Sequence, residues 1–180
     1  FNNQDYIIPL FGAHQASNAA LAIDVISQFD SNIKHDTISN AFKKVFWPGR
    51  LQQIEPKIFY DVSHNKQGMK KTLQTIKELY PGQDIHGLLC LKKDKDLTSL
   101  KSLISKNIKT LIVSEDQKGF LSKSTVLAKE LEMINVKCNP VNSLKDATGI
   151  LKNSVKNNSS IGLIFGSHYI AKEVFQAFEI

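Results

Sequence analysis

The chain has 180 residues, 42% of them hydrophobic, with two cysteines and a net charge of +6. This is enough apolar material for one good-sized domain plus a fragment, while the longest apolar runs are only a few residues, too short for a membrane-spanning helix. The lysines are spread over the chain without aromatic interleaving, so the charge reads as a solvated surface, with anionic small ligands rather than nucleic acid as the partner class. No basic segment precedes an apolar stretch at the start, so no secretory signal and no membrane partner are expected. Cys90 and Cys138 lie in apolar strand-like runs without metal-ligand spacing and read as buried thiols of a cytoplasmic protein. The chain opens on Phe1 within a polar phrase, as expected of a piece of a longer protein.

Residues 1–10 read as extended, with Ile7-Ile8-Pro9-Leu10 as the end of a strand. Residues 14–29 form an alanine-rich helix that is apolar over a wide arc and is therefore expected to be buried between other elements. Asp36 is the expected N-cap of a second helix with Ile38, Phe42 and Val45 turned inward. No core closes within these residues, which calls for a missing neighbour. Trp47-Pro48-Gly49-Arg50 is a hinge: proline lacks an N–H and biases the preceding residue away from helix, and glycine breaks the chain again.

From Lys57 the rhythm changes to strands alternating with amphipathic helices. Strands are predicted at 57–60, 85–91, 109–113, 135–139 and 160–165, and helices near 67–79, from Leu97, near 123–133, near 143–156 and from Ile170. Five such pairs with strands apolar on both faces predict an α/β fold, a doubly wound, mostly parallel sheet covered by helices.

No G-x-x-x-x-G-K-[ST] and no G-x-G-x-x-G occurs, so this chain does not cradle a triphosphate in the usual glycine-rich way. Asp61, His64 and Asn65 follow a strand and precede a helix, a position where ligands bind, although Ser63 or Asn65 as helix cap and Asp61 paired with a lysine explain them as well. Arg50 on a hinge suits a phosphate or a surface salt bridge. His14, Gln15 and Asn18 suit a base edge or a helix cap. Lys92–Asp96 reads as a charged turn with Asp96 capping the next helix, and Gly166-Ser167 as a tight turn with Ser167 as cap.

Together these stretches resemble folylpolyglutamate synthase and dihydrofolate synthase of the Mur ligase superfamily. Gly12-Ala13-His14-Gln15-Ala16-Ser17-Asn18-Ala19 is similar to the family's G-x-H-Q-x-x-N-A helix, and Trp47-Pro48-Gly49-Arg50-Leu51-Gln52 to its W-P-G-R-x-(Q/E) hinge. Asp61-Val62-Ser63-His64-Asn65 resembles D-(G/V)-A-H-N, Asp94-Lys95-Asp96 the D-K-D loop, and Gly166-Ser167-His168-Tyr169 the G-S-L-Y turn. Ser63 stands for the usual alanine, Lys66 for proline and His168 for leucine.

The resemblance implies a Rossmann-like Mur ligase C-terminal domain over residues 48–180, preceded in 1–47 by the helical end of a central ATP-binding domain. It implies an ATP-dependent ligase joining L-glutamate to folate, or to dihydropteroate, through an acyl phosphate, monomeric when intact, with the phosphate loop and Mg2+ ligands outside this chain. Asn18 is then expected at adenine, Arg50 at the phosphates, Asp61 at the ribose and His64 in the same pocket, with closure about Pro48-Gly49. Glutamate contacts are expected around Ser63, His64 and the Asp94-Lys95-Asp96 loop. The chain alone is expected to be silent. The competing expectations are a peptidoglycan-precursor ligase, against which the W-P-G-R and G-S-x-Y stretches speak, and a non-catalytic α/β interaction module. A receiver of that kind would need an acidic cluster at its first strand and a lysine at its last. An RNA-binding domain is suggested by charge alone.

Overall fold

The computed structural model describes residues 4–156 and 159–180. Its centre is a six-stranded sheet in the order β1-β2-β6-β3-β4-β5 among the described residues. The strands are β1 (Gln52–Glu55), β2 (Ile58–Asp61), β3 (Asp84–Leu89), β4 (Thr110–Val113), β5 (Asn139–Pro140) and β6 (Ser160–Phe165). β1 runs antiparallel to β2 and the others are parallel. β6, buried at every position, sits between β2 and β3, with Ile164 opposite Tyr60 on one side and Leu88 on the other.

Alternation along the strands divides the core in two, because successive side chains point to opposite faces. Phe59, Leu89, Val113 and Phe165 pack with residues of α3 (Lys66–Leu79), α4 (Leu97–Asn107) and α5 (Ser124–Met133), such as Ile76, Ile104 and Leu131. Tyr60, Leu88, Ile112 and Ile164 pack on the other face with Leu151 of α6 (Leu144–Val155) and Val174 of α7 (Ala171–Ala177). Each such side chain contributes about 1.5–3 kcal/mol when taken out of water. Helices thus cover both faces, and the doubly wound, mostly parallel sheet expected from the sequence is the one observed.

Several local expectations give way. β1 was not anticipated: Gln52-Gln53-Ile54-Glu55 buries only Ile54 and has no apolar run to announce a strand. It forms because Pro56 and Lys57, the latter at φ 63, turn the chain back into β2. The strand expected at 135–139 shrinks to Asn139–Pro140. Asn135 adopts φ 59 just past the end of α5, with its N–H on Glu132 O and that of Val136 on Leu131 O, so residues 134 and 135 turn the chain out of the helix and 136–138 carry no strand.

Residues 4–10 stay outside the sheet, with Ile7 well exposed, so the strand end expected at Ile7–Leu10 is absent; residues 1–3 of that expectation lie outside the described residues. Helix α1 (Ala13–Phe29) buries only Ala19 and Ile23, while Leu21, Val25 and Phe29 face outward, the last 84% exposed. The expected burial on all sides fails because no described element covers that face. Asp36 does not cap α2 (His35–Lys43): the helix starts one residue earlier, after Lys34, and Asp36 lies in its first turn, where a carboxylate suits the helix dipole.

Candidate functional site

Asp61 ends β2 and is only 6% exposed. Its Oδ2 accepts the N–H of Leu51 and its Oδ1 that of Ser63, both at 2.8 Å. No lysine pairs with it, so the ion-pair alternative does not hold among the described residues. The bond to Leu51 fixes a turn that folds down onto β2. Gly49 O accepts the N–H of Val62 at 2.8 Å, and Gly49 N–H donates to Gln52 Oε1 at 3.1 Å. Gly49 has φ 70, and a Cβ there would come within 2.6 Å of Val62 Cγ1, so only glycine fits. Leu51, at φ 44 and 3% exposed, is held in a conformation that a side chain seldom adopts. Arg50 projects from this anchored turn. Its Cζ lies 5.7 Å from the Trp47 ring centroid, and no carboxylate pairs with it among the described residues.

Opposite stand the first two turns of α1. Asn18 Nδ2 donates to Gln15 Oε1 at 3.0 Å, and Gln15 Nε2 donates to His14 Nε2 at 3.1 Å. An amide nitrogen only donates, so the His14 proton sits on Nδ1. Burial lowers the pKa of His14, as do the Lys71 and Arg50 charges, while Asp61 opposes them. The neutral ring that the hydrogen bond requires is therefore favoured. These three residues do not cap α1, whose N-cap Gly12 has no side-chain partner.

Between the two walls lies a cavity of about 270 Å³, whose lining includes Asn18, Arg50, Asp61, Lys71 and Thr72. Asn18, Arg50 and Asp61, read from three separate stretches of sequence, thus meet in one place. Asn65, on the same wall, is the N-cap of α3, its Oδ1 accepting the N–H of Gly68 at 2.9 Å. Lys71 and Thr72 were missed by sequence reasoning. The available signal was helical spacing, since residues three and four beyond Gly68 share its face and overlook the Asp61 loop.

His64 does not join this cavity. Its Nδ1 lies 3.1 Å from Val62 O, and the ring borders a second cavity of about 140 Å³ with Lys92, Lys95, Ser167, His168 and Tyr169. Lys92 Nζ stands 4.7 Å from the Tyr169 ring centroid, and the His168 and Tyr169 rings are 4.3 Å apart. The lining comes from the loops after β2, β3 and β6. The first two lead to helices on one face of the sheet and the third to a helix on the other, a crevice of the kind in which open α/β sheets bind ligands. Asp96 caps α4 as expected, accepting the N–H of Ser99. Ser167 Oγ accepts the N–H of Tyr169 instead, so it caps this turn and not α7, which begins after Ile170.

The family model described as Mur ligase, glutamate ligase domain, matches residues 49–168. The dihydrofolate synthase/folylpolyglutamate synthase of Bacillus subtilis is 28% identical over 179 residues, which cover 95% of this chain and 40% of that protein. The structure of Mycobacterium tuberculosis folylpolyglutamate synthase complexed with ADP and AMPPCP superposes with a TM-score of 0.86 at 23% identity, over 98% of this chain and 42% of that one. The bifunctional folylpolyglutamate synthase/dihydrofolate synthase of Yersinia pestis, complexed with AMPPNP and Mn ion, gives 0.81 at 16% identity, again over 98% and 42%. At such identities the structures speak for the fold. The chain spans about two fifths of the length of these relatives. Matched from the anchored Gly49 turn through all six strands to the loop after β6, this chain belongs to the Mur ligase family and carries its glutamate ligase domain.

Proposed function

We propose that this chain forms one wall of the catalytic cleft in an ATP-dependent ligase that adds L-glutamate to a folate. The observation that carries the reading is the meeting of Asn18, Arg50 and Asp61 on a single polar cavity at the carboxyl end of β2. Residues 1–47 then belong to the end of a central ATP-binding domain and 48–180 to the C-terminal domain, with a phosphate-binding loop outside this chain. The protein is cytoplasmic and acts as a monomer in this reading.

In the reaction, a folate carboxylate oxygen attacks the γ-phosphorus of ATP, the bond to the β-phosphate oxygen breaks and ADP leaves. The glutamate nitrogen then attacks the acyl phosphate carbon, loses a proton and expels phosphate. Catalysis of such transfers rests on positioning and electrostatics. Asn18 reads the adenine edge, and Arg50, without a carboxylate partner among the described residues, presents its fork to the phosphates. Each Asp61 oxygen keeps a lone pair beyond the one given to the backbone, so the carboxylate still accepts a ribose hydroxyl. Because Gly49, Arg50 and Leu51 are tied to β2, closure pivots upstream of Gly49, and Arg50 travels with Asp61 as one body.

The second cavity suits the acceptor amino acid: His64, Lys92, Lys95 and His168 offer donors and positive charge to a dicarboxylate. No group of three metal-ligating side chains stands together among the described residues, so magnesium ligation is assigned to none of them. No described helix is long and apolar enough to cross a membrane.

The test uses the intact protein, with ADP release followed in the presence of ATP, a reduced folate and L-glutamate. Release that requires both co-substrates is expected. Arg50→Ala should lower kcat/KM for ATP by about tenfold to a hundredfold, the worth of one charged phosphate contact, with little change in melting temperature because the side chain is exposed. Sustained, multiple-turnover ADP release without glutamate, or an Arg50→Ala protein as active as the parent, would overturn the proposal. The 180-residue chain alone is expected to show no turnover.

A further inference from the structure

Tyr60 itself lines neither cavity, yet it reaches the frame of both. It is fully buried in β2. A Cβ on Gly49 would lie 3.2 Å from Tyr60 Cε1, so the bare backbone of the Arg50 turn rests on the tyrosine ring. At the other end of the same side chain, the hydroxyl donates to Ser167 O at 2.7 Å, across 107 residues of sequence. That carbonyl belongs to the turn whose Ser167, His168 and Tyr169 line the second cavity.

The turn needs such a restraint. Gly166, just before it, has φ 109 and passes so close to β3 that a Cβ would sit 2.4 Å from Cys90 O. Glycine is therefore obligatory there, and glycine leaves the following peptide free to rotate. Within the turn, Ser167 Oγ holds the N–H of Tyr169 at 3.1 Å. Contacts of the Tyr169 ring with Lys92 and Phe120 hold the far end of this small loop, and the Tyr60 hydroxyl ties its Ser167 end by a hydrogen bond to the sheet.

We propose that Tyr60 is a positioning residue that sets the two cavities in register: its ring carries the Arg50 turn and its hydroxyl fixes the wall against which the acceptor amino acid lies. The part concerning the amino acid rests on the proposed function; the part concerning the loop does not. Burial above all, with Cys90 and Asp61 adding to it, pushes the phenol pKa well above its usual value, so the hydroxyl remains a donor at any assay pH. In Tyr60→Phe the ring and the Arg50 turn stay in place. Ser167 O, left buried without a donor, turns towards the water of the second cavity and carries Ser167 and His168 with it.

The experiment compares intact parent protein, Tyr60→Phe and Phe175→Leu. Phe175 packs edge-on against the same ring at 6.0 Å and controls for a general loosening. In Tyr60→Phe, amide exchange at Tyr169 should quicken about tenfold, the equivalent of one lost hydrogen bond, while the amides of Leu51 and Val62 keep their protection. KM for L-glutamate should rise about fivefold to tenfold for the same reason, with KM for ATP unchanged and the split equal in acidic and alkaline assays. Phe175→Leu should lower the melting temperature without any split. Unchanged exchange at Tyr169, or equal rises in both KM values, overturns the proposal. If the parent shows no glutamate-dependent turnover, the functional reading is what fails, and exchange alone decides the role of Tyr60.

Discussion

Replacing Asp61 by alanine removes the acceptor of two backbone donors at once, Leu51 N–H and Ser63 N–H. Both bonds are charge-assisted, and such bonds contribute about 1.5–3 kcal/mol each. Asp61 borders a cavity, so water replaces part of what is lost, and the lower end of the range applies: about 3 kcal/mol for the pair. With a urea m-value of about 2 kcal/mol/M, the unfolding midpoint should fall by about 1.5 M. Asp61→Asn keeps one acceptor but sets an NH2 against the other donor, so it should fall between the parent and Asp61→Ala. The single tryptophan, Trp47, lies beside the turn and reports its release, while far-UV circular dichroism reports the sheet. The expected pattern is graded loss of stability, with the Trp47 signal in Asp61→Ala changing at lower urea than the dichroism. A midpoint within about 0.3 M of the parent, well under one net hydrogen bond, would refute the claim that this carboxylate locks the Arg50 turn.

Two further outcomes follow from the same geometry. Gly49→Ala meets Val62 Cγ1 at 2.6 Å and a φ of 70, and should cost about 2–3 kcal/mol by urea denaturation, strain at one such position being worth about 1–3 kcal/mol; an unchanged midpoint would mean that the turn relaxes freely. The lowered pKa of His14 means that the unfolded chain binds a proton more readily than the folded one. Stability from this group is full above the ordinary histidine value of 6.5 and declines as pH falls from there towards the lowered folded value. His86, lowered by burial and then by Lys109, acts in the same sense. The His14→Gln, His86→Gln double variant should flatten the slope of stability against pH just below 6.5; a slope as steep as the parent's would contradict both assignments.

What the sequence disclosed depended on how much of each signal was local. β2, β3, β4 and β6 were legible because runs such as Ser160-Ile161-Gly162-Leu163-Ile164-Phe165 are apolar on both faces and admit no other reading beside amphipathic helices. β1 was not, since its pairing comes from the Pro56-Lys57 turn and the neighbouring strand, not from its own polar residues. Position 135 defeated the reading because an asparagine that ends a helix and a polar residue that opens a strand look alike in a linear sequence. Asn18, Arg50 and Asp61 were gathered by resemblance, whereas spacing alone left a plainer role open beside the ligand role for each. His64, three residues from Asp61, was expected beside it, but the bond to Val62 O directs its ring to the other cavity. Lys71 belongs to no motif: helical spacing from Gly68 was its one signal, and the packing of α3 near the α1 end brings it to the cavity.

The two ends of the sheet have a consequence for how this chain behaves in solution. One edge is a four-residue strand whose Gln52, Gln53 and Glu55 are polar, with Glu55 engaged by Lys152 at 2.8 Å. The other is a two-residue strand closing on Pro140, which has no N–H to offer. Short, polar or proline-bearing borders are the devices by which β proteins avoid templating further strands. These borders disfavour strand addition, and the apolar surface left uncovered among the described residues includes the outward side of α1, at Leu21, Val25 and Phe29. Polar substitutions there, rather than in the sheet, are the ones that should raise the chain's solubility.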